Sequence, residues 1–177
     1  PTVLAAPTAD GAVLYRVNAG GPQLAAADGS LPDWSADVDA APSPYVTFPV
    51  GQGKTFTTTQ PITLDPSVPA SVPAKLFQHE RFDNPSGGPF PLNTEMRWAF
   101  PVTATLTVQV RLYFAEIYWS APNLRVFDVE IDGVVPAVFD NLDIFALAGG
   151  KNRGMMRSYT VVSDGIVNID FRHTGLD

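Results

Sequence analysis

Carboxylates outnumber the basic side chains in this chain, 18 Asp and Glu against 11 Lys and Arg. Hydrolysing a glycosidic bond needs two carboxyl groups flanking it. Glu116 lies beside the aromatic pair Tyr118-Trp119, and Asp128, Asp140, Asp143 and Asp177 are its candidate partners. The sequence sets no two of them at a working separation, and an Asp in a turn more often serves local hydrogen bonds. The two histidines, His79 and His173, are isolated, and there is no Gly-x-Ser-x-Gly elbow and no cysteine. Neither a serine triad nor a zinc pattern is supported. His79, between Gln78 and Glu80, is expected on the surface. Calcium prefers oxygen ligands on loops. Asp140, Asn141 and Asp143 in "FDNLDIF" and Asp33 and Asp37 in "DWSAD" supply such oxygens without EF-hand or nonapeptide spacing. The chain therefore reads as non-catalytic and without a cofactor, with room for a structural calcium ion.

The aromatic residues are more informative. Trp34, Tyr45, Phe82, Tyr118 and Trp119 fall in or beside expected loops. Singly, each is better explained by core packing. Together, on loops with short polar residues, they meet the two needs of a sugar: flat faces for its C–H surfaces and partners for its hydroxyls. In "RLYFAEIYWSAPNLRVFDVEIDG" a strand reaches Tyr118-Trp119 and then breaks at Ser-Ala-Pro-Asn. Neighbours on a strand point to opposite faces, so both rings cannot enter one core. At least one must face a loop or a cleft.

The elements that would hold these residues are strands. Leu106, Val108, Val110, Leu112 and Phe114 alternate with polar or amphipathic residues, the period-two pattern of a half-buried strand. Asp132-Gly133 is expected to turn a hairpin from "RVFDVEIDG" into "VVPAVFD", and Asp164-Gly165 another inside "SYTVVSDGIVNIDF". Residues 13–21 read as a short strand ending in two glycines, which permit positive φ or close backbone approach. Residues 45–50 and 54–58 read as two strands around Gly-Gln-Gly, and "MRWAF" as another. "AKLFQHERF" is ambiguous between strand and short helix, and residues 22–44 form a long loop. About ten short strands with long loops point to an all-β domain, a β-sandwich or jelly roll.

The 177 residues suffice for one domain, with residues 1–12 as a Pro/Ala-rich linker tail and 13–177 as the sandwich. A formal net charge of −7 argues against binding phosphate backbones. No apolar run is long enough to span a membrane, so neither nucleic acid nor membrane is an expected partner. Without cysteine the compartment stays open. The chain starts at Pro1 without Met and reads as a module of a larger protein.

Six stretches, in order, resemble the malectin family of carbohydrate-binding domains: "YRVNAGG", "DWSAD", "LFQHERF", "LYFAEIYW", "RVFDVEIDG" and "NLDIFALAG". They span nearly the whole chain. The resemblance implies a jelly-roll, galactose-binding-like β-sandwich whose loops at one end hold a glycan containing glucose. It implies ligand-binding roles for Tyr118 and Trp119, the aromatic pair after "FAE". It also implies them for Phe82, where the animal protein has Tyr and its hydroxyl, for Tyr45 across a loop of different length, and for Asp177 near the C-terminus. Glu116 and Arg125 would orient the loop. The alternative for Trp119 is a hydrophobic plug on the sandwich end. The family continues past the position of Asp177 into a further strand, so a strand edge open to another chain or segment is expected. The setting implied is a secreted or cell-surface protein, bacterial, that binds glycans. The alternative is a structural or adhesive module that has lost sugar binding and pairs through its open edge.

Overall fold

A computed structural model describes residues 11–48, 53–83 and 95–176; Asp177 lies outside the described residues. Among the described residues ten strands form in chain order: β1 Val17–Ala19, β2 Ser35–Asp37, β3 Gly53–Thr57, β4 Thr63–Leu64, β5 His79–Asp83, β6 Arg97–Pro101, β7 Thr107–Ala115, β8 Val126–Ile131, β9 Arg153–Val162 and β10 Ile166–Leu176. Two three-stranded sheets, β6-β10-β8 and β4-β9-β7, make the β-sandwich expected from the strand pattern. The pairs β3-β5 and β1-β2 form two further sheets.

The expected alternation is realised in the packing from Val108 onward, while Leu106, just before β7, is 44% exposed. Val108, Val110, Leu112 and Phe114 meet a core of Val129, Ile131, Phe139, Leu142, Val167 and Ile169. Each such side chain contributes about 1.5–3 kcal/mol when fully buried. The other face of β7 is covered too: Tyr113 and Ala115 pack on a second cluster of Trp34, Val72, Leu76 and Phe77. Trp34 is therefore a core residue, 5% exposed and edge-on to Tyr113 at 5.3 Å, and not part of a loop surface for ligands.

Several local expectations change. The ambiguous stretch divides into a 3-10 turn, Ala74–Gln78, followed by β5. Residues 45–47 do not pair with β3: Val46 bridges Trp98 at the edge of β6, and β3 pairs with β5. Of residues 13–21, only Val17–Ala19 is strand, parallel to β2. Asp132-Gly133, both at positive φ (48° and 80°), does turn the chain, and Ile131 and Val134 exchange both backbone hydrogen bonds. The hairpin ends there, because Pro136 has no N–H for a ladder and the chain enters a 3-10 turn, Ala137–Phe139, that buries Phe139. Asp164-Gly165 joins no hairpin, since β9 and β10 lie in different sheets. Buried Ser163 guides the crossing: its hydroxyl donates to the Val102 carbonyl at 3.1 Å and accepts from Gly165 N at 3.0 Å. The last strand is not an edge: β10 is the central strand of its sheet.

One glycine has a strict role. A Cβ on Gly20 (φ 87°) would lie 2.1 Å from the Glu80 carbonyl oxygen. The "NAGG" segment is thus required for backbone to cross β5 closely, directly behind the residues described next.

Candidate functional site: an aromatic cleft at one end of the sandwich

The site begins where β7 ends. Glu116 follows Ala115 and is buried, 2% exposed. Its Oε1 accepts from Tyr118 N and Trp119 N, both at 2.8 Å. The carboxylate thereby wraps the backbone around itself and breaks the in-out alternation of the strand. Ile117 stays buried, while Tyr118 and Trp119 emerge 51% and 37% exposed. Their rings meet edge to face, 4.9 Å apart at 87°, and Phe56 of β3 meets Tyr118 edge-on at 5.6 Å. Lys151 Nζ donates to the Tyr118 carbonyl at 2.7 Å and Asn152 N to the Glu116 carbonyl at 2.8 Å, bracing the loop from behind.

Arg125 connects this loop to β5. Its Nη1 lies 3.2 Å from Glu116 Oε2 and 3.3 Å from Glu80 Oε2. Burial pushes the Glu80 carboxyl above its ordinary value; Arg125 opposes that shift and the nearby charge of Glu116 reinforces it. Burial likewise lowers the His79 pKa. These groups line a cleft of about 460 Å³ together with Tyr118, Trp119, Phe56 and Phe82.

The structure brings three of the expected ligand residues, Tyr118, Trp119 and Phe82, into this one cleft. Tyr45 stands outside it. Its ring packs on Tyr15 at 4.9 Å and Phe100 at 4.8 Å, and its carbonyl accepts from Ala99 N along β6. Asp177 lies outside the described residues. Sequence reasoning missed Phe56 and Glu80. His79, expected on the surface, is half-buried in the lining of the cleft, with its Nδ1 3.2 Å from Thr57 Oγ1. His173 Nε2 pairs with Asp83 Oδ2 at 2.9 Å in the same lining.

The oxygens considered for calcium are engaged locally. Asp37 is buried against Arg81, with Oδ2 to Nε at 2.9 Å and Oδ1 to Nη2 at 2.8 Å. Asp33 accepts from Gln23 at 3.2 Å. Asp143 accepts from Ala146 N, capping the short helix α1, Ile144–Ala148, and from Asn123 N at 2.6 Å. Asp140 accepts from the Asn141 side chain at 2.9 Å. Among the described residues no three His, Cys, Asp or Glu gather as a metal-ligand group.

A two-sheet sandwich with long loops and a recessed aromatic cleft has the architecture of a binding module. Residues 13–176 match the family model for the Malectin domain, and the chain belongs to that family. The receptor-like protein kinases ANXUR1 and ANXUR2 of Arabidopsis thaliana are 27% and 26% identical over 90% and 89% of this chain. The chain spans only 19% and 18% of their lengths. The crystal structure of the ANXUR1 extracellular domain superposes with a TM-score of 0.73 at 24% identity, covering 91% of this chain and 42% of that one. A structure of the plant peptide RALF23 in complex with FER and LLG2 superposes with a TM-score of 0.71 at 24% identity, covering 90% of this chain and 42% of that one. The extracellular or cell-surface setting of the domain is that of these ectodomains. The named relatives are receptor kinases, two of them stated to be from Arabidopsis thaliana; the bacterial source expected from the sequence has no counterpart among them. No helix among the described residues is long and apolar enough to cross a membrane.

Proposed function

We propose that the cleft binds a carbohydrate, one containing glucose or a related hexose, as the recognition step of a larger extracellular protein. The observation that carries this is the orthogonal pair Tyr118-Trp119, held out of the core on a loop that a buried carboxylate pins from below. Two large rings in the lining of a concavity stay 51% and 37% exposed, which leaves substantial apolar surface facing solvent. Stacking a sugar's C–H face would cover that surface without disturbing the core. Titration calorimetry with maltose and nigerose, alongside a glycan array, tests the reading. Trp119→Ala should abolish binding and leave the melting temperature within a few degrees. If Trp119 instead plugs the sandwich, its removal should cost about 3–5 kcal/mol of stability, and a fall of that size would defeat the stacking role.

A second reading is a protein or peptide ligand. It is favoured by the matched structure in which RALF23 is in complex with FER and LLG2. A peptide could use the same rings, or add a strand at a sheet edge. Saccharide-independent binding of a peptide, insensitive to Trp119→Ala, would support this reading over the first.

A further inference from the structure

Three arginines line the cleft, and they differ in what their guanidinium groups still have to give. Arg81 is fully committed: Nε and Nη2 go to Asp37 and Nη1 lies 3.4 Å from Asp39. Arg172 spends Nε and Nη2 on Glu130 and Nη1 on Glu95. Arg125 meets both of its carboxylates through Nη1 alone. Among the described residues its Nε and Nη2 make no hydrogen bond, and neither is shut off from solvent. Glu80 is its counterpart: Oε2 faces Arg125, while Oε1 has no hydrogen-bond partner among the described residues and is not among the atoms shut off from solvent. Glu80 and Arg125 side chains are 13% and 24% exposed, so both are recessed yet reachable.

We propose that Arg125 and Glu80 read two adjacent hydroxyls of a neutral hexopyranose held against Tyr118 and Trp119. One hydroxyl donates to Glu80 Oε1, and its neighbour accepts from the open N–H edge of Arg125. The inference rests on the carbohydrate reading above and adds which groups choose the ligand. A neutral diol fits because such a pair supplies one acceptor and one donor side by side. A ligand carboxylate or sulfate does not fit. The Arg125 charge is already shared between Glu80 and Glu116, Arg81 and Arg172 are committed to their own carboxylates, and Lys151, whose charge also acts on Glu80, is held on the Tyr118 carbonyl. An incoming anion would meet two carboxylates before it met any uncompensated positive charge.

The test is calorimetry on the whole chain with three kinds of ligand: maltose, maltoses in which single hydroxyls are replaced by fluorine, and maltose whose non-reducing C6 is oxidised to a carboxylate. Fluorine cannot donate a hydrogen bond and accepts one only weakly. On the wild-type protein, losses of about ten- to a hundredfold should fall on two adjacent hydroxyls. In Glu80→Gln the loss at the donating hydroxyl should shrink, because the charge-assisted partner is gone. The uronate should bind about tenfold more weakly than maltose or worse. If Glu80→Gln and Glu80→Ala both bind maltose like wild type while Trp119→Ala does not, the cleft holds sugar through its rings alone and the inference is overturned. Tight uronate binding overturns it too. Should the Glu80 variants fail to fold, the fluorine scan of the wild type decides, and scattered or absent losses overturn the proposal. A wild-type protein that binds neither maltose nor nigerose removes the carbohydrate reading and this inference together.

Discussion

Arg81 and Arg125 both bridge two carboxylates, and both involve the strand β5, but they are built for opposite ends. Arg81 grips Asp37 bidentately, takes the Asp37 carbonyl at 2.8 Å, and leaves neither itself nor Asp37 in contact with water. It ties the "DWSAD" segment to β5 and has nothing left to offer. Arg125 is joined to its carboxylates by one nitrogen and opens on a cleft. The same two residue types thus make a staple when every donor is used and a reading surface when half are not. Buried pairing alone does not mark a functional site; the unspent hydrogen-bonding capacity does.

The largest effect should come from breaking the closed centre. Asp37→Ala leaves the Arg81 guanidinium buried with only Asp39, 3.4 Å away and 44% exposed, and removes the acceptor of Ser43 N. An uncompensated buried charge costs about 3–5 kcal/mol, a large share of the roughly 5–15 kcal/mol that a domain commands. Urea unfolding of Asp37→Ala should show a midpoint far below wild type. Replacing both partners with apolar residues of similar volume should recover most of the loss. A single variant as stable as wild type would mean that the closed pair is not the staple described here.

Opening the other centre should cost less stability and more binding. Glu116→Ala deprives Tyr118 N and Trp119 N of their acceptor and leaves Arg125 with Glu80 only. Both amides can find water at the loop surface, so a stability loss of about 1–3 kcal/mol is expected. The rings lose the turn that sets them at 87°, and maltose affinity should fall by more than the stability change suggests. Equal losses for Asp37→Ala and Glu116→Ala, in both stability and affinity, would erase the distinction between the two centres.

What the sequence discloses follows the range of each interaction. The alternation of β7 is local, and its apolar side does face the core. The aromatic pair is local too: a strand that stops at Ala115 cannot keep Tyr118 and Trp119 on opposite faces. The Asp-Gly turns are legible as turns, but turn chemistry is the same whether the next strand joins the same sheet or crosses to the other. Pro136 ends the first pairing and Ser163 directs the second crossing, and both act through partners that the turn itself does not specify. Trp34 misleads because an irregular segment can still be buried once residues 62–77 fold over it. Glu80 is invisible in sequence because its meaning depends on Arg125, which lies on another element and reaches it only in the folded chain.

The smallest effect isolates the Glu80 charge. Burial raises its folded pKa above the ordinary value of about 4.5, and Arg125 only partly offsets this. The sign follows from linkage: an acid with a raised folded pKa binds its proton more tightly in the folded state, so the folded state gains as pH falls. Above the folded pKa the ionised, desolvated carboxylate is a full penalty. That penalty is relieved as pH drops through the folded pKa and is gone below about 4.5, where the unfolded chain is protonated as well. Glu80→Gln imitates the protonated form, so its stability advantage over wild type should be greatest near neutral pH and fade on acidification. The comparison must be a difference between the two proteins. Asp170 is shifted upward as well, by burial, while hydrogen bonds from Ser30 and Ser67 pull Asp28 and Asp65 downward, so the total curve mixes both signs. Melting temperatures of the two proteins across about pH 4 to 8 decide it. A gap that stays constant over that span would mean the Glu80 carboxylate is hydrated as well as a surface one, and the open centre would lose its claim to hold a charge in reserve for a ligand.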